Sequence, residues 1–543
     1  MMTKIILMHR TQMLKTIIPS EWVFSEKSDI RWRRKSPTLQ NTPIGEDQYS
    51  VQPSECDMTP IEYFSEYISH ACLENMVEKT NMYALQHGKT FTPTNVTEIK
   101  AFLGLHIIMG CLKYPRVRMY WDSALHLDPF VESMSRERFF QLRSNFHVID
   151  NFARPENCKD KFYKVRPIYD CIRRRCLELQ TEEELCVDEQ MIPFKVHLGV
   201  KQYCKGKPKP WGIKLFLLCG RSGLCYDFLL YQGDTPEISN KFVRKFGLGA
   251  SIVLKLVERI NREHAYLYFD NFFTTFNLLE ILKIKNIYAA GTARLCRMPN
   301  VPFTSDKDLK KKGRGFSEEV VSMNEALIMC KWFDNRPVVL ASNFVGCGSQ
   351  DEVQRWEKSR KTYVSVSQPE VVRCYNHAMG GVDKIDMLIS MYRIFIKPKK
   401  WTLRMLFHAV DLACVNSWLE YKRNTESLGE KETMDLLHFK MRIGEALVKM
   451  GTSTKVKRGR HSSDLQDIKA KRARTEIRPA PEIRNDLTGH FPGYHDNTEA
   501  SRCKMPSCKN KTHVFCEKCN VHLCFVKGRN CFKMFHNAGC NNR

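Results

Sequence analysis

Apolar residues change their rhythm twice along this chain. Between residues 59 and 182 the reading is mainly helical. Ala101 to Leu112 is an apolar stretch of helical length, Arg136 to Phe146 spaces its apolar positions at mixed three and four, and Val165 to Leu179 is a further amphipathic helix. The texture then turns short and β-rich. Glu184 to Phe194, Gly212 to Cys219, Tyr226 to Tyr231 and Ala265 to Phe269 read as strands, separated by turn signals such as Arg221-Ser222-Gly223. Ala250 to Ile260 and Phe276 to Lys285 read as helices between them, so the pattern predicts a mixed α/β core. Residues 296–367 differ again, with strand-like runs at Val338 to Ser342 and Thr362 to Val366, and read as an inserted β-rich module. Helical patterning returns over 380–423 and 435–450.

The two ends lack this patterning. Residues 1–58 carry weak periodicity and a basic run from Arg31 to Lys35, and are expected to be mostly flexible. Residues 451–484 hold ten Lys/Arg against four Asp/Glu and almost no aliphatic residues, as a basic linker would. Its two basic clusters run from Lys455 to Arg460 and from Lys469 to Arg474. No internal repeat is present.

Charge narrows the function class. The chain carries 85 Lys+Arg against 60 Asp+Glu, a formal net charge of +25, with a pI near 9.2. Such an excess points to a polyanionic partner, because each neutralised phosphate releases counterions. No uninterrupted apolar run reaches the roughly 18 residues of a membrane span, and the apolar start at Ile5 to Met8 is broken by His9 and Arg10. The chain is therefore expected inside the cell. Fifteen of its 22 cysteines are scattered before residue 415 in apolar contexts and read as free buried thiols. The other seven crowd between Cys503 and Cys540, which indicates metal rather than disulfides.

Four carboxylates stand out by context. Asp188 follows the apolar run Leu185-Cys186-Val187, and Asp270 ends the run Ala265 to Phe269. Each is expected at the carboxyl end of a strand, where α/β sheets place their chemistry. Asp383 and Asp386 follow Gly380-Gly381 and share one helix face by their three-residue spacing. Phosphoryl transfer uses such groups to hold two Mg²⁺ ions roughly 4 Å apart, which bind the attacking and leaving oxygens. Taken singly, a strand-end Asp is more often a turn former and a helix-start Asp more often a cap.

The ordered set is more specific than its parts. Val187-Asp188-Glu189-Gln190-Met191, Gly212-Ile213-Lys214, Phe269-Asp270-Asn271-Phe272-Phe273-Thr274 and Gly380-Gly381-Val382-Asp383-Lys384-Ile385-Asp386 resemble, in order, the signatures of piggyBac transposases. So do Asp160-Lys161 through Arg166-Pro167-Ile168 upstream, and Lys400-Trp401 with Ala413-Cys414-Val415-Asn416-Ser417 downstream. The likeness spans roughly residues 59–450 and the cysteine-rich tail.

The resemblance implies an α/β multidomain chain built on a split RNase H-like core. On that pattern 1–58 is a flexible N-terminal region, and 59–182 with 393–450 form a mainly helical dimerisation and DNA-binding domain. The catalytic core is 183–295 with 368–392, the insertion 296–367, the basic linker 451–489 and the zinc-binding domain 490–543. Asp188, Asp270 and Asp383 match the three catalytic aspartates and Asp386 the acidic residue beside them. All four would hold Mg²⁺ or Mn²⁺. The implied reaction nicks transposon ends, turns the freed 3′-hydroxyl on the other strand to give a hairpin, and joins the ends to TTAA target DNA. A nuclear homodimer on double-stranded DNA follows from the same resemblance. Lys214, Lys400 and Trp401 are candidate DNA contacts, as are Lys331 and Lys310 to Lys312, although a solvated charge run is the more ordinary role of any single lysine and burial in a helix seam that of one Trp. The rival readings are a domesticated descendant that binds DNA or chromatin without cutting, and a plain metal-dependent nuclease.

The tail reads as a metal module by spacing alone. Cys503, Cys508, Cys516, Cys519, Cys524, Cys531 and His536 supply seven ligands in 34 residues, nearly enough for two tetrahedral Zn²⁺ ions. The resemblance favours His490 as the eighth, with His513 and His522 as rivals and Cys540 as a spare. Their interleaved order suggests a cross-braced module, with one site of His490, Cys503, Cys508 and Cys524 and another of Cys516, Cys519, Cys531 and His536. The resemblance implies that the tail binds transposon-end DNA; ubiquitin-ligase or chromatin-reading modules share the same cross-brace.

Overall fold

The computed structural model describes residues 22–34, 58–451 and 484–537, apart from 89, 208, 234–236, 261, 263, 397–399, 430–431 and 497–498. Two compact units divide at residue 453. Both basic clusters of the linker, and Cys540, lie outside the described residues.

In the larger unit, β1 (Trp32–Arg33) precedes six helices: α1 (Pro60–Tyr67), α2 (His70–Gln86), α3 (Val96–Leu112), α4 (Asp128–Ser133), α5 (Arg136–Asn145) and α6 (Arg166–Glu178). Asn95 caps α3 by accepting from the Glu98 amide, and the helix is apolar on nearly every side because it is buried on nearly every side. The sheet region then runs β2 (Glu184–Pro193), β3 (Gln202–Tyr203), β4 (Trp211–Gly220), β5 (Cys225–Tyr231), α7 (Asn240–Phe246), α8 (Leu248–Leu256), β6 (Ala265–Phe269), α9 (Phe276–Ile284) and β7 (Ile287–Thr292). After it come α10 (Asp306–Lys312), β8 (Ser317–Ser322), β9 (Ile328–Phe333), β10 (Pro337–Ser342), β11 (Asp351–Glu357) and β12 (Thr362–Gln368). Helices α11 (Glu370–Ala378), α12 (Gly381–Met391), α13 (Trp401–Ser427) and α14 (Leu436–Gly451) close the unit.

One ten-stranded sheet organises the core, in the order β1-β8-β9-β10-β7-β6-β2-β4-β3, with β5 also on β4. Within it, β5, β4 and β2 are antiparallel while β2, β6 and β7 are parallel, the RNase H-like arrangement. The segment 296–367 does not stand wholly apart: β8, β9 and β10 continue this sheet through the antiparallel pairing of β10 with β7. The β11–β12 hairpin forms its own two-stranded sheet.

Residues 22–34 depart from the flexibility expected of the N-terminal region. Strand β1 pairs with β8, the Trp32 indole donates to the Pro299 carbonyl at 2.9 Å, and Trp22 and Phe24 pack on Phe246. These aromatics bury area that a weakly periodic sequence conceals.

The helices from both halves of the chain pack together. Helix α14 lies along α3, and α13 contacts α1 and α6. Asn416 on α13 closes the open edge of β5, accepting from the Cys225 amide at 2.8 Å and donating to its carbonyl at 3.0 Å. Among the described residues no helix is long and apolar enough to cross a membrane.

The smaller unit is built from short strands, β13 (Pro492–Tyr494), β14 (Ser501–Arg502), β15 (Lys511–Thr512), β16 (Val514–Cys516), β17 (Val521–His522), β18 (Phe525–Val526) and β19 (Arg529–Asn530), in one three-stranded and two two-stranded sheets, and α15 (Cys531–His536) follows them. Its apolar core is little more than Val521, Leu523, Phe532 and Phe535 around six cysteines.

Candidate active site and metal centres

Sheet register sets the first two carboxylates side by side. Strands β2 and β6 run parallel with Val187 opposite Phe269, so Asp188 and Asp270 are the next residues on adjoining strands. Asp270 lies just past β6 as expected. Asp188 does not end its strand: β2 continues to Pro193, paired with β4 throughout. The apolar run stops at Val187 because Asp188 and Gln190 share the face that meets the site, while the backbone ladder carries on.

Each carboxylate is tied locally. The Asp188 Oδ1 accepts from the Glu189 amide at 2.8 Å, and the Asp270 Oδ1 from the Phe272 amide at 2.8 Å. The loop after Asp270 is fastened by Arg294 on the Asn271 side chain at 2.7 Å and by Arg297 on the Phe272 carbonyl at 2.6 Å. Burial raises the Asp188 pKa to about 7, the charge of Glu189 adds to the rise and Asp270 adds less, while Lys207 opposes it. Burial also raises Asp270, against the pull of Arg294 and Lys214. Holding carboxylates in this way is costly unless a cation arrives.

Helix α12 brings the other pair. It packs on β2 and β4, and the approach is close: a Cβ on Gly381 would lie 2.3 Å from the Gly220 carbonyl oxygen and 2.8 Å from the Cys186 sulfur. This explains the glycine that opens the helix. Asp383 is largely exposed and pairs with the Lys207 ammonium at 3.1 Å. Asp386 is half-buried, raised by burial, and stands 4.0 Å from Arg393. Gln190, fully buried beside it, lowers the Asp386 pKa, yet its amide has no hydrogen bond of ordinary geometry.

The four aspartates are linked through their charges, Asp188 with Asp270 and Asp188, Asp383 and Asp386 with Lys207, but no three of them gather as ligands of one ion. Among the described residues, only Cys/His sets gather three or more donor atoms within 4.8 Å of one another. The donor chemistry fits a hard divalent cation: buried carboxylate oxygens with raised pKa values, beside the buried amide of Gln190. Sequence reasoning missed Gln190 and Lys207. Gln190 was visible as the residue two beyond Asp188 on the same strand face; Lys207 lies in a lysine-rich loop where no single lysine is marked.

The candidate DNA contacts fall in different settings. Lys214 on β4 faces the Phe216 and Phe272 rings, at 5.4 and 5.6 Å, on the Asp270 side of the site. Lys400 is exposed at the start of α13, and Trp401 packs edge-on at 6.1 Å against the buried Phe162 ring, just ahead of α6. Lys331 is buried, donating to the Thr304 carbonyl at 2.6 Å and pairing with Asp306 at 2.7 Å, so its role is structural. Lys310 to Lys312 end α10 on the surface.

The smaller unit gathers eight donors into two groups of four. One is His490, Cys516, Cys519 and His536; the other is Cys503, Cys508, Cys524 and Cys531. The expected partition is corrected: His490 and Cys531 exchange places. Pairing of β13 with β16 sets Pro492 opposite Cys516 and carries His490 to the Cys516 and Cys519 sulfurs, at 3.3 and 3.4 Å. Helix α15 has Cys531 at one end and His536 at the other, so its two ends serve different groups. Along the chain the pairs still alternate between groups, as a cross-brace requires.

Both imidazoles are prepared as ligands. His490 turns Nδ1 to the sulfurs while Nε2 meets Asp486 at 2.9 Å. His536 fixes Nδ1 on the Phe532 carbonyl at 2.8 Å, leaving a buried Nε2 with no partner. An outer partner on one ring nitrogen and a bare second nitrogen is how metal-binding histidines are held, and the Cys₄ and Cys₂His₂ sets fit tetrahedral zinc. His513 and His522 are placed elsewhere, stacking on Tyr494 and His495 respectively.

Comparison with known proteins follows the same outline. A family model described as Transposase IS4 matches residues 59–418. PiggyBac transposable element-derived protein 3 of Homo sapiens is 34% identical over 393 residues, 71% of this chain and 64% of the relative. PiggyBac transposable element-derived protein 2 of Homo sapiens is 30% identical over 489 residues, 88% of this chain and 76% of the relative. The chain thus spans just under two thirds of the first of these relatives. Among solved structures, the piggyBac transposase of a cryo-EM synaptic complex with hairpin DNA shares the fold with a TM-score of 0.64 at 21% identity, covering 87% of this chain and 98% of that one.

Proposed function

The chain belongs to the piggyBac transposase family, and from that premise we propose that it is a metal-dependent DNA transposase of the cut-and-paste type. The observation that carries the reading is the placement of Asp188 on β2 beside Asp270 just past its parallel neighbour β6, both raised by burial, with a packed helix that brings Asp383 and Asp386. Mg²⁺ or Mn²⁺ bound there would supply the Lewis acidity and the activated water of phosphodiester cleavage. The protein's part is to hold those ligands. Asp188 and Asp270 are fixed by backbone amides, and the Arg294 and Arg297 clamps keep the 270–273 loop in place. Lys214 stands on the Asp270 side, where a phosphate near the scissile bond would meet a cation.

On this reading the substrate is double-stranded DNA: transposon ends are nicked, the 3′-hydroxyl forms a hairpin on the other strand, and the ends are then joined at TTAA. Two chains act together in the nucleus. The +25 net charge and the two basic clusters of residues 455–460 and 469–474 support DNA binding and nuclear import. The eight-ligand module would hold two Zn²⁺ and engage the transposon ends through its lysines. Its binding of metal would supply the folding energy that its small core lacks. A second reading, DNA or chromatin binding without cleavage, is supported by the relatives' designation as transposable element-derived.

Excision from a donor plasmid in cells decides between them. The donor carries the genomic DNA that flanks this gene around a split reporter, and the wild type is compared with Asp270→Asn. We expect reporter recovery with the wild type, a single TTAA restored at the junction, and recovery at background with the variant. Equal background for both proteins, with DNA binding intact, would favour the non-cleaving reading.

A further inference from the structure

The site is bordered by acids, with Arg393 at 4.0 Å from Asp386, and a lysine from the neighbouring loop is seated among them. Lys207 reaches in from the loop between β3 and β4 and pairs with Asp383 at 3.1 Å. Its charge also pulls down the pKa of Asp188 and of Asp386. In return Asp188, Asp383 and Glu189 raise the pKa of Lys207 in spite of its partial burial. One ammonium therefore faces carboxylates from β2 and from α12.

The loop that carries it is clamped at its base and open at its tip. Tyr203 pairs with Trp211, the Cys204 amide donates to the Pro210 carbonyl at 2.8 Å, and the Cys204 thiol donates to Glu189 at 3.4 Å. Beyond that clamp Gly206 has φ +93, and no atom lies within 4 Å of where its Cβ would be. Lys205 and Lys209 are exposed, whereas Lys207 turns inward. A lysine on a four-carbon stem next to such a glycine can leave without disturbing the strands.

We propose that Lys207 is a built-in counter-cation which competes with divalent metal for the carboxylates and yields its place when DNA supplies a phosphate. This inference rests on the reading of the aspartates as metal ligands. An ammonium and a divalent ion repel at this range and draw on the same oxygens, so the site that satisfies one excludes the other. In the DNA-free protein Lys207 then weakens metal loading. A phosphate offers the ammonium another partner, so DNA binding and metal binding favour one another, as linkage requires.

The test is Mn²⁺ affinity of the zinc-loaded full chain, read by electron paramagnetic resonance with and without a transposon-end duplex. Lys207→Met keeps the stem and removes the charge; Lys205→Met, on the exposed side of the loop, is the control. Without DNA, Lys207→Met should bind Mn²⁺ about tenfold more tightly than the wild type or the control, from the loss of one nearby charge. The gain in affinity that DNA gives the wild type should largely vanish in it, and Asp188→Asn should abolish the extra binding. Unchanged or weaker Mn²⁺ binding in Lys207→Met, with Asp188→Asn still weakening the wild type, would overturn the competition and leave the metal site standing. Mn²⁺ binding indifferent to Asp188→Asn in both backgrounds would overturn the metal reading and this inference with it. Melting temperatures of the wild type, the three single variants and the double variant exclude misfolding as the cause.

Discussion

Asp188 sits where burial and two neighbouring acids oppose its charge, and Lys207 offsets only part of that cost. Its pKa is lifted from 3.8 to about 7 in the folded protein. The unfolded chain releases this proton near pH 4 and the folded chain near pH 7, so between those values the folded state binds more protons. Stability then falls as pH rises through that window, and the penalty is complete above pH 7. Replacing Asp188 by Asn removes the titration. In the metal-free protein, Asp188→Asn should match the wild type in melting temperature near pH 4 and exceed it at pH 8. The advantage is on the order of 1–4 kcal/mol, given about 1.4 kcal/mol per pKa unit. Mn²⁺ should reverse the order at pH 8, because only the wild type gains a ligand. Melting curves at the two pH values, with and without Mn²⁺, check this; a difference that does not change with pH would refute the assignment.

At the level of elements, the site depends on how closely α12 is seated on the sheet. Gly381 allows that approach, and a Cβ there collides with the backbone oxygen of Gly220, which cannot swing aside as a side chain would. Gly380, one residue earlier, has nothing within 4 Å of its Cβ position. Gly381→Ala should therefore cost about 1–3 kcal/mol through forced displacement of the helix. It should also weaken Mn²⁺ binding by shifting Asp383 and Asp386, while Gly380→Ala leaves both properties near wild type. Melting temperature and Mn²⁺ titration of the two variants separate these outcomes. The glycine pair was plain in the sequence, but which of the two is needed depends on a contact with Gly220, at the end of a strand far earlier in the chain. Strand content was legible on the same terms. β4, β5 and β6 announce themselves by long apolar or aromatic runs and β2 by the shorter run Leu185 to Val187, whereas β7 is made of Ile287-Tyr288-Ala289-Ala290-Gly291-Thr292, whose small residues form a strand because they fit between β6 and β10. Apolarity marks a strand that buries bulk. It does not mark one chosen for slimness, nor a polar residue such as Asp188 that turns its side chain to the site in mid-strand.

Across the whole molecule, the smaller unit puts the same limit in its clearest form. Its eight candidate ligands could be named from spacing and family likeness, because cysteine pairs two to four residues apart can chelate one ion. Their division into two sites could not, because it depends on which strand lies beside which and on how one short helix spans the gap. Sequence order alone puts Cys531 and His536 together; the helix between them sends them to different sites. The two partitions give opposite results for paired substitutions in the intact protein. With the division found here, Cys516→Ala/Cys519→Ala removes two ligands of one site and should leave one zinc per chain. Cys516→Ala/Cys531→Ala breaks both sites and should leave none. Were Cys516 and Cys531 ligands of one ion, the second variant would keep a zinc. Native mass spectrometry of the full chain, counting zinc in the wild type and both variants, reads the outcome directly. A count of two, one and none carries a further consequence: since the unit holds so small an apolar core, the zinc-free variant should lose protection from amide exchange across 490–536 as a whole, because metal binding and folding are then the same event.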